Sequence, residues 1–177
     1  MVYKTQGIVI KKKDLTEADR CLTVYTKDFG KILVKGKAVK KSQAKLKGHL
    51  ELFMLSHLMI AQGKGLDIVT SAETINNYSW LRSNLPSLAA AYYFSELVDK
   101  LIVGPEKDEK IWQLLLAGFN QLNKEDGQTA SLIKIFEAKL IQFLGYDLSQ
   151  QTKNPVVFIQ SVLGEKINSK KFLNVLR

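Results

Sequence analysis

The residues best able to do chemistry in this chain of 177 residues are its lysines. Lys31, Lys35, Lys37, Lys40, Lys41, Lys45 and Lys47 follow one another with no acid between them, and Lys11, Lys12 and Lys13 form a second cluster ahead of Arg20. An ammonium group is a compact point charge suited to phosphate oxygens, and each phosphate it neutralises releases condensed counterions. A polyanion is therefore the partner such a segment fits; the plainer use of the same charge is a solvated surface. The formal net charge is +9, and it is uneven: residues 1–80 carry 14 Lys and Arg against 7 Asp and Glu, residues 81–177 carry 12 against 10.

Other reactive groups are sparse. His49 and His57 lie eight residues apart, with Glu51 the only nearby carboxylate and no cysteine beside them, which is too open a set for a three-ligand metal site. Glu17 and Asp19, two apart, offer an acidic metal-binding pair; the plainer reading is that they pair with Arg20 or a lysine and shape a turn. Gly63-Lys64-Gly65 lacks the spacing of a phosphate-cradling loop, and no Gly-x-Ser-x-Gly elbow is present. Cys21 stands alone and reads as a small side chain packed at a strand start, with no disulfide or zinc cluster available to it. These residues ask for binding rather than catalysis: no catalytic residue, metal or cofactor is expected.

The lysines need a scaffold, and the first half of the chain alternates as strands do. Gly7-Ile8-Val9-Ile10 is rich in β-branched residues, and Leu22 to Thr26 alternates with period two. Asp28-Phe29-Gly30 turns the chain into Lys31 to Gly36; a stretch from Leu50 to Ala61 stops at Gly63-Lys64-Gly65; Leu66 to Ile75 closes the set. Five short strands in about 75 residues fit a five-stranded OB-fold barrel, with an SH3-like barrel as the nearest rival. Closure removes the exposed sheet edges. The basic connection from Lys35 to Leu50 is expected to be a flexible loop, with Gly36, Ser42 and Gly48 favouring irregular backbone.

The second half changes to helical spacing. Ala90, Phe94, Leu97 and Leu101 share a face after Pro86, and Gly104-Pro105 stops them. Ile111, Leu115, Phe119 and Leu122 share another, ended by Asn123 to Gly127. A third helix over about Thr129 to Leu144 is expected to bury Leu132, Phe136, Leu140 and Phe143, with Gly145 past its end. Asn154 and Pro155 open a fourth that ends at Gly164, and Ser169 caps a last turn with Phe172, Leu173 and Leu176 facing inward. The class is α+β: a barrel domain over 1–78 and a small α-helical bundle over 79–177. Composition agrees, since 46% apolar and 24% charged residues exclude a disordered chain. No stretch approaches about 18 uncharged apolar residues, so no membrane helix is expected. Met1 to Gln6 lacks a signal peptide's apolar block, and the single cysteine suits a reducing compartment, so the expected compartment is the cytoplasm.

In order along the chain, these pieces resemble the bacterial recombination mediator family RecO. Thr5-Gln6-Gly7-Ile8-Val9-Ile10 is similar to its opening strand, and Leu15-Thr16-Glu17-Ala18-Asp19-Arg20 to its Gly/Thr-Glu-x-Asp-Arg turn. Thr26 to Lys31 resembles its Thr-x-x-x-Gly-Lys hairpin, and Val34-Lys35-Gly36-Lys37-Ala38 the entry to its basic loop, where Ser42, Lys45 and Leu46 match Ser-Lys-Leu. Leu88 to Leu97 is similar to the first long helix. Phe136-Glu137-Ala138-Lys139-Leu140 through Leu144-Gly145-Tyr146 resembles the Phe-Glu-x-x-Leu…Leu-Gly-Tyr helix end, and Ser169 to Leu173 the closing segment. Many members place a four-cysteine zinc module after Leu-Gly-Tyr; Asp147 to Asn154 holds no cysteine, so zinc is not carried over.

The resemblance implies a non-enzymatic mediator of recombinational repair. Its OB-fold binds single- and double-stranded DNA and anneals complementary strands. Its partners are RecR, RecF and RecA, the last loaded onto DNA coated by single-stranded DNA-binding protein, whose acidic C-terminal tail the helical domain docks. On this sequence the DNA face comprises Lys35, Lys37, Lys40, Lys41, Lys45 and Lys47, with Lys11, Lys12, Lys13 and Arg20 as additions. Tyr3, Tyr25 and Phe29 offer rings for base stacking, although a small barrel first needs such side chains inside. An RNA-binding or ribosome-associated OB-fold factor would use the same lysines.

Overall fold

A computed structural model describes residues 1–125, 128–146 and 154–175. It divides into two compact units: Met1–Asn77 with Ile102–Asp108, and Tyr78–Leu101 with Glu109–Arg177. The return of 102–108 to the first unit has no counterpart in the sequence reading.

The first unit is a closed barrel in the order β1-β2-β3-β5-β4, with β1 at Val2–Asp14, β2 at Arg20–Thr26, β3 at Gly30–Gly36, β4 at Leu55–Ala61 and β5 at Asp67–Asn76. All ladders are antiparallel except β3 with β5. Five strands in this closed order form the OB-fold. The first strand extends well beyond Gly7–Ile10 because it serves two partners. Val2 to Ile8 pairs with β4, Gly7 to Asp14 with β2, and a bulge between Val9 and Lys11 bends the strand around the barrel. Inside lie Val9, Leu22, Val24, Val34, Leu58, Ile60 and Val69, joined by Val39 and Leu50 from the connection between β3 and β4.

The run expected as one strand from Leu50 to Ala61 is a strand only from Leu55. Phe53 stands at φ 66, a left-handed corner that ends extended backbone. Its N–H donates to the Val9 carbonyl at 2.8 Å, and Leu50 is buried in the barrel core. The apolar content before Leu55 therefore closes the barrel instead of lengthening its ladder.

The second unit holds α1 (Ser79–Ser83), α2 (Leu85–Leu101), α3 (Glu109–Leu122), α4 (Thr129–Phe143), α5 (Pro155–Leu163) and α6 (Lys170–Val175). Phe94 and Phe136 stack at 3.8 Å, and Gly118 lies beneath them, where a Cβ would make a tight 3.2 Å approach to both rings. Ile111, Leu115, Phe119 and Leu122 are all buried as their spacing predicts. Asn154 caps α5 by accepting the Val156 N–H at 3.1 Å, Pro155 opens the helix, and Gly164 closes it at φ 64.

Two expected faces are corrected. On α4, Ile141 is buried with Phe136 and Leu140, while Leu132 and Phe143 are half-buried. On α6, Phe172 is 61% exposed, so this helix is not held by an inward aromatic. Leu173 is half-buried and Ile167 just ahead of the helix is buried, and polar groups fasten the same segment. The Glu96 carboxylate on α2 accepts the N–H groups of Asn168 and Ser169 at 2.8 and 2.7 Å, and the Ser169 hydroxyl as well. Leu176 lies outside the described residues.

Candidate nucleic-acid interface

The ten cations singled out by the sequence lie on one stretch of the barrel unit: the end of β1, the start of β2, β3 and the connection after it. That connection is not an irregular loop. Successive turns fold it, with N–H to carbonyl bonds from Lys41 to Ala38, Ala44 to Lys41 and Lys47 to Ala44, each 3.1 Å, before a 3-10 turn at Lys47–His49. Val39 and Leu50 plug into the barrel core and Leu46 packs against it, so the segment is a strap fastened at both ends. Burial of those apolar side chains offsets the entropy of ordering the polar residues between them.

Acidic residues fasten the near end. The turn from Leu15 to Asp19 closes on itself: Leu15 N–H donates to the Asp19 carbonyl at 3.0 Å, and the Ala18 and Asp19 N–H groups to Thr16 Oγ1 at 3.2 and 3.0 Å. This aims the Asp19 carboxylate at the strap. Its Oδ2 lies 2.7 Å from Lys35 Nζ, and its Oδ1 accepts the Ala38 N–H at 2.7 Å, where Ala38 stands at φ 57. Lys40 donates from Nζ to Asp14 Oδ2 at 2.8 Å and to the Thr16 carbonyl at 3.3 Å. Arg20 donates from Nε to Asp14 Oδ1 at 3.1 Å and brings Nη1 within 3.5 Å of Glu51 Oε1, while Lys12 pairs with Glu51. Lys35 and then the Ala38 N–H hold the Asp19 carboxyl below the usual carboxylate range; Lys40 and then Arg20 do the same for Asp14.

The ten cations thus divide by role. Lys12, Arg20, Lys35 and Lys40 are half-buried and bound to acids of their own barrel. Lys11, Lys13, Lys37, Lys41, Lys45 and Lys47 are exposed. The side chains of Lys13, Lys37, Lys41, Lys45 and Lys47 make no ion pair among the described residues. Sequence reasoning passed over Asp14 and Glu51 as the acids that sort this cluster. The signal available was small: two of the few acids in a lysine-rich half, one beside the turn before β2 and one beyond the strap.

The remaining candidates scatter. His49 Nδ1 lies 2.8 Å from Thr74 Oγ1, His57 is exposed on β4, and no group of three His, Cys, Asp or Glu capable of holding a metal occurs among the described residues. Glu17 is exposed while Asp19 is engaged by Lys35, which is the structural use of that acid. Tyr25 is fully buried and cannot meet a base. Tyr3 is half-buried, donating to Asp67 Oδ2 at 2.7 Å; burial first, then that bond, push its hydroxyl up to about 12, so it remains a donor. Phe29 meets it edge-to-face at 4.7 Å and is 37% exposed. No described helix is long and apolar enough to cross a membrane.

A five-stranded OB-fold barrel carrying a lysine strap, followed by a helical unit, is the structural class. Comparison with known sequences narrows the class. The family description "Recombination protein O N terminal" matches residues 1–78, and "Recombination protein O C terminal" matches residues 82–153. The chain is 38% identical over 144 residues to the DNA repair protein RecO of Dehalococcoides mccartyi, covering 81% of this chain and 56% of that one. It is 36% identical over 146 residues to that of a Roseiflexus species, covering 82% and 50%. It is 31% identical over 171 residues to that of Bifidobacterium adolescentis, covering 95% and 66%. The chain belongs to the RecO family of DNA repair proteins. It spans about half the length of most of the curated relatives it matches.

Proposed function

We propose that this protein is a DNA-binding, non-enzymatic mediator of recombinational repair. It grips sugar–phosphate chains with Lys37, Lys41, Lys45 and Lys47, supported by Lys11 and Lys13. The observation that carries this reading is the strap itself: a segment fastened to the barrel at both ends, presenting four exposed lysines that its own acids leave unpaired among the described residues. Point charges on a held strap bind phosphate without reading sequence, so binding is sequence-tolerant and weakened by salt. Such a surface neutralises two strands at once, which favours annealing of complementary single strands. The family relationship supports action beside RecR, RecF and RecA on DNA coated by single-stranded DNA-binding protein, with the helical unit receiving that protein's acidic tail.

The test is fluorescence anisotropy with labelled oligonucleotides across a salt series. Each phosphate contact contributes roughly 0.7 to the log–log salt slope for a single strand, so replacing Lys37, Lys41, Lys45 and Lys47 by Ala should flatten it by up to about 3. An unchanged slope removes the strap from the interface. A matched RNA that displaces DNA at equal concentration favours the RNA-binding reading. Annealing of complementary strands precoated with single-stranded DNA-binding protein checks mediator activity directly.

A further inference from the structure

The barrel wall has a gap. The ladder between β3 and β5 pairs only Val34 with Asp67 and Lys35 with Ile68, because β5 begins at Asp67. The first half of β3, from Gly30 to Leu33, runs beside no strand on that side among the described residues. A cleft of about 710 Å³ opens there, between β3, the start of β1, the turn from Gln62 to Leu66 and Gly104-Pro105 of the returning segment, which covers the Gly30 end of the gap. Phe29, Ile32, Leu33 and Tyr3 supply its apolar wall, and Lys31 lies at its rim. Leu33 is 55% exposed and Phe29 37%, an unusual exposure for large apolar side chains placed together in a small barrel. Gln62 donates its main-chain N–H to the Met1 carbonyl at 2.9 Å, while its side-chain amide has no hydrogen bond among the described residues.

The cleft is continuous with the lysine strap. Along β3, Val34 points into the core, so Lys31, Leu33 and Lys35 share the outer face, with Lys37 just past the strand end. Residues two apart on a strand are separated by about 6.6 Å, close to the spacing of successive phosphates along one extended nucleic-acid strand. From Leu33 to the strand end at Gly36 is about 10 Å by the same rise, with Lys37 one residue beyond, a span of about two nucleotides. A backbone held by the strap lysines and running toward Lys31 brings a base to Leu33 and Phe29. A nucleobase suits that wall, having apolar faces for the ring of Phe29 and a polar edge for an amide that both donates and accepts, such as that of Gln62.

From the gap, the exposed apolar wall and the collinear lysines, we infer that this cleft captures one unstacked base of single-stranded DNA. The inference rests on the reading that the barrel binds DNA, and it adds a basis for telling single strands from duplex. Bases paired inside a duplex cannot reach the wall, whereas their phosphates can still reach the strap.

The experiment uses the full chain with an oligothymidine carrying one 2-aminopurine and a duplex of equal length. Wild-type protein should alter the 2-aminopurine fluorescence. Phe29→Ala should lower single-strand affinity about tenfold, within the range for losing one base–aromatic stack, and abolish that fluorescence response. Duplex affinity and the salt slope should stay as in wild type. Leu33→Ala, at an exposed position, should give a smaller loss of the same pattern, and it carries the test if circular dichroism shows that Phe29→Ala does not fold. Equal losses on single strand and duplex, or unchanged single-strand affinity, overturn the base site while leaving the strap in place. Failure of the wild-type protein to bind either oligonucleotide overturns both readings.

Discussion

Glu137 is 4% exposed inside the helical unit, and its Oε1 accepts the Tyr93 hydroxyl at 2.6 Å. Burial raises the Glu137 carboxyl above its ordinary value, and the Tyr93 bond, Lys170 and Lys134 only partly oppose it. Tyr93→Phe deletes the donor and leaves the buried carboxylate without a hydrogen bond among the described residues, with only the charges of Lys170 and Lys134 acting on it. A hydrogen bond to a charged group contributes about 1.5–3 kcal/mol. At roughly 2–4 °C per kcal/mol for a chain of this size, the expected fall in Tm is about 3–12 °C. Glu137→Gln does the opposite: it keeps an acceptor for the Tyr93 hydroxyl and removes the buried charge. Because the folded-state value is raised, the native state binds the proton more tightly than the unfolded chain does. Wild type therefore loses stability as pH rises from the unfolded carboxyl value through the folded one. Glu137→Gln should be at least as stable as wild type at neutral pH, with the difference vanishing below the unfolded value of about 4.3. Both tryptophans, Trp80 and Trp112, lie in the helical unit, and Trp112 is buried, so fluorescence during urea unfolding follows this unit selectively. If Glu137→Gln destabilises at pH 7 as much as Tyr93→Phe, the carboxylate charge is favourable where it sits, and the reasoning from burial fails.

Two further outcomes test the barrel unit. Asp19→Ala removes an acid from a basic face, which by net charge alone would strengthen oligonucleotide binding. Because Asp19 holds Lys35 and the left-handed corner at Ala38, the affinity measured by anisotropy should fall instead, and a rise would show that the strap does not need its latch. Gly30→Ala should destabilise the barrel by more than the roughly 1–2 kcal/mol that a side chain in the left-handed region costs alone, since Gly30 stands at φ 63 and a Cβ would lie 2.0 Å from the Glu106 carbonyl oxygen. Urea unfolding followed by circular dichroism measures it, and a neutral result would mean that 102–108 yields easily.

What the sequence determined by itself was local and periodic. Helical spacing at Ile111, Leu115, Phe119 and Leu122 and the Asn154-Pro155…Gly164 punctuation are set by neighbours a few residues away, and both appear where their pattern puts them; the strand runs marked the five strands but not their ends, since β1 extends over Val2–Asp14 and β4 begins only at Leu55. The lysine cluster was equally legible, because charge is a property of composition. Pairing across the fold was not. Whether Lys35 serves a phosphate or Asp19 depends on a turn that aims one carboxylate across 16 residues of sequence, and Lys12 meets an acid 39 residues away. Burial of Glu137 beside Tyr93, the polar fastening of α6 by Glu96, and the gap where β5 starts late are likewise products of packing between distant segments. A one-dimensional pattern says which face of an element is apolar; only the folded chain decides which distant group arrives to meet it, because that choice is made by the summed fit of the whole core.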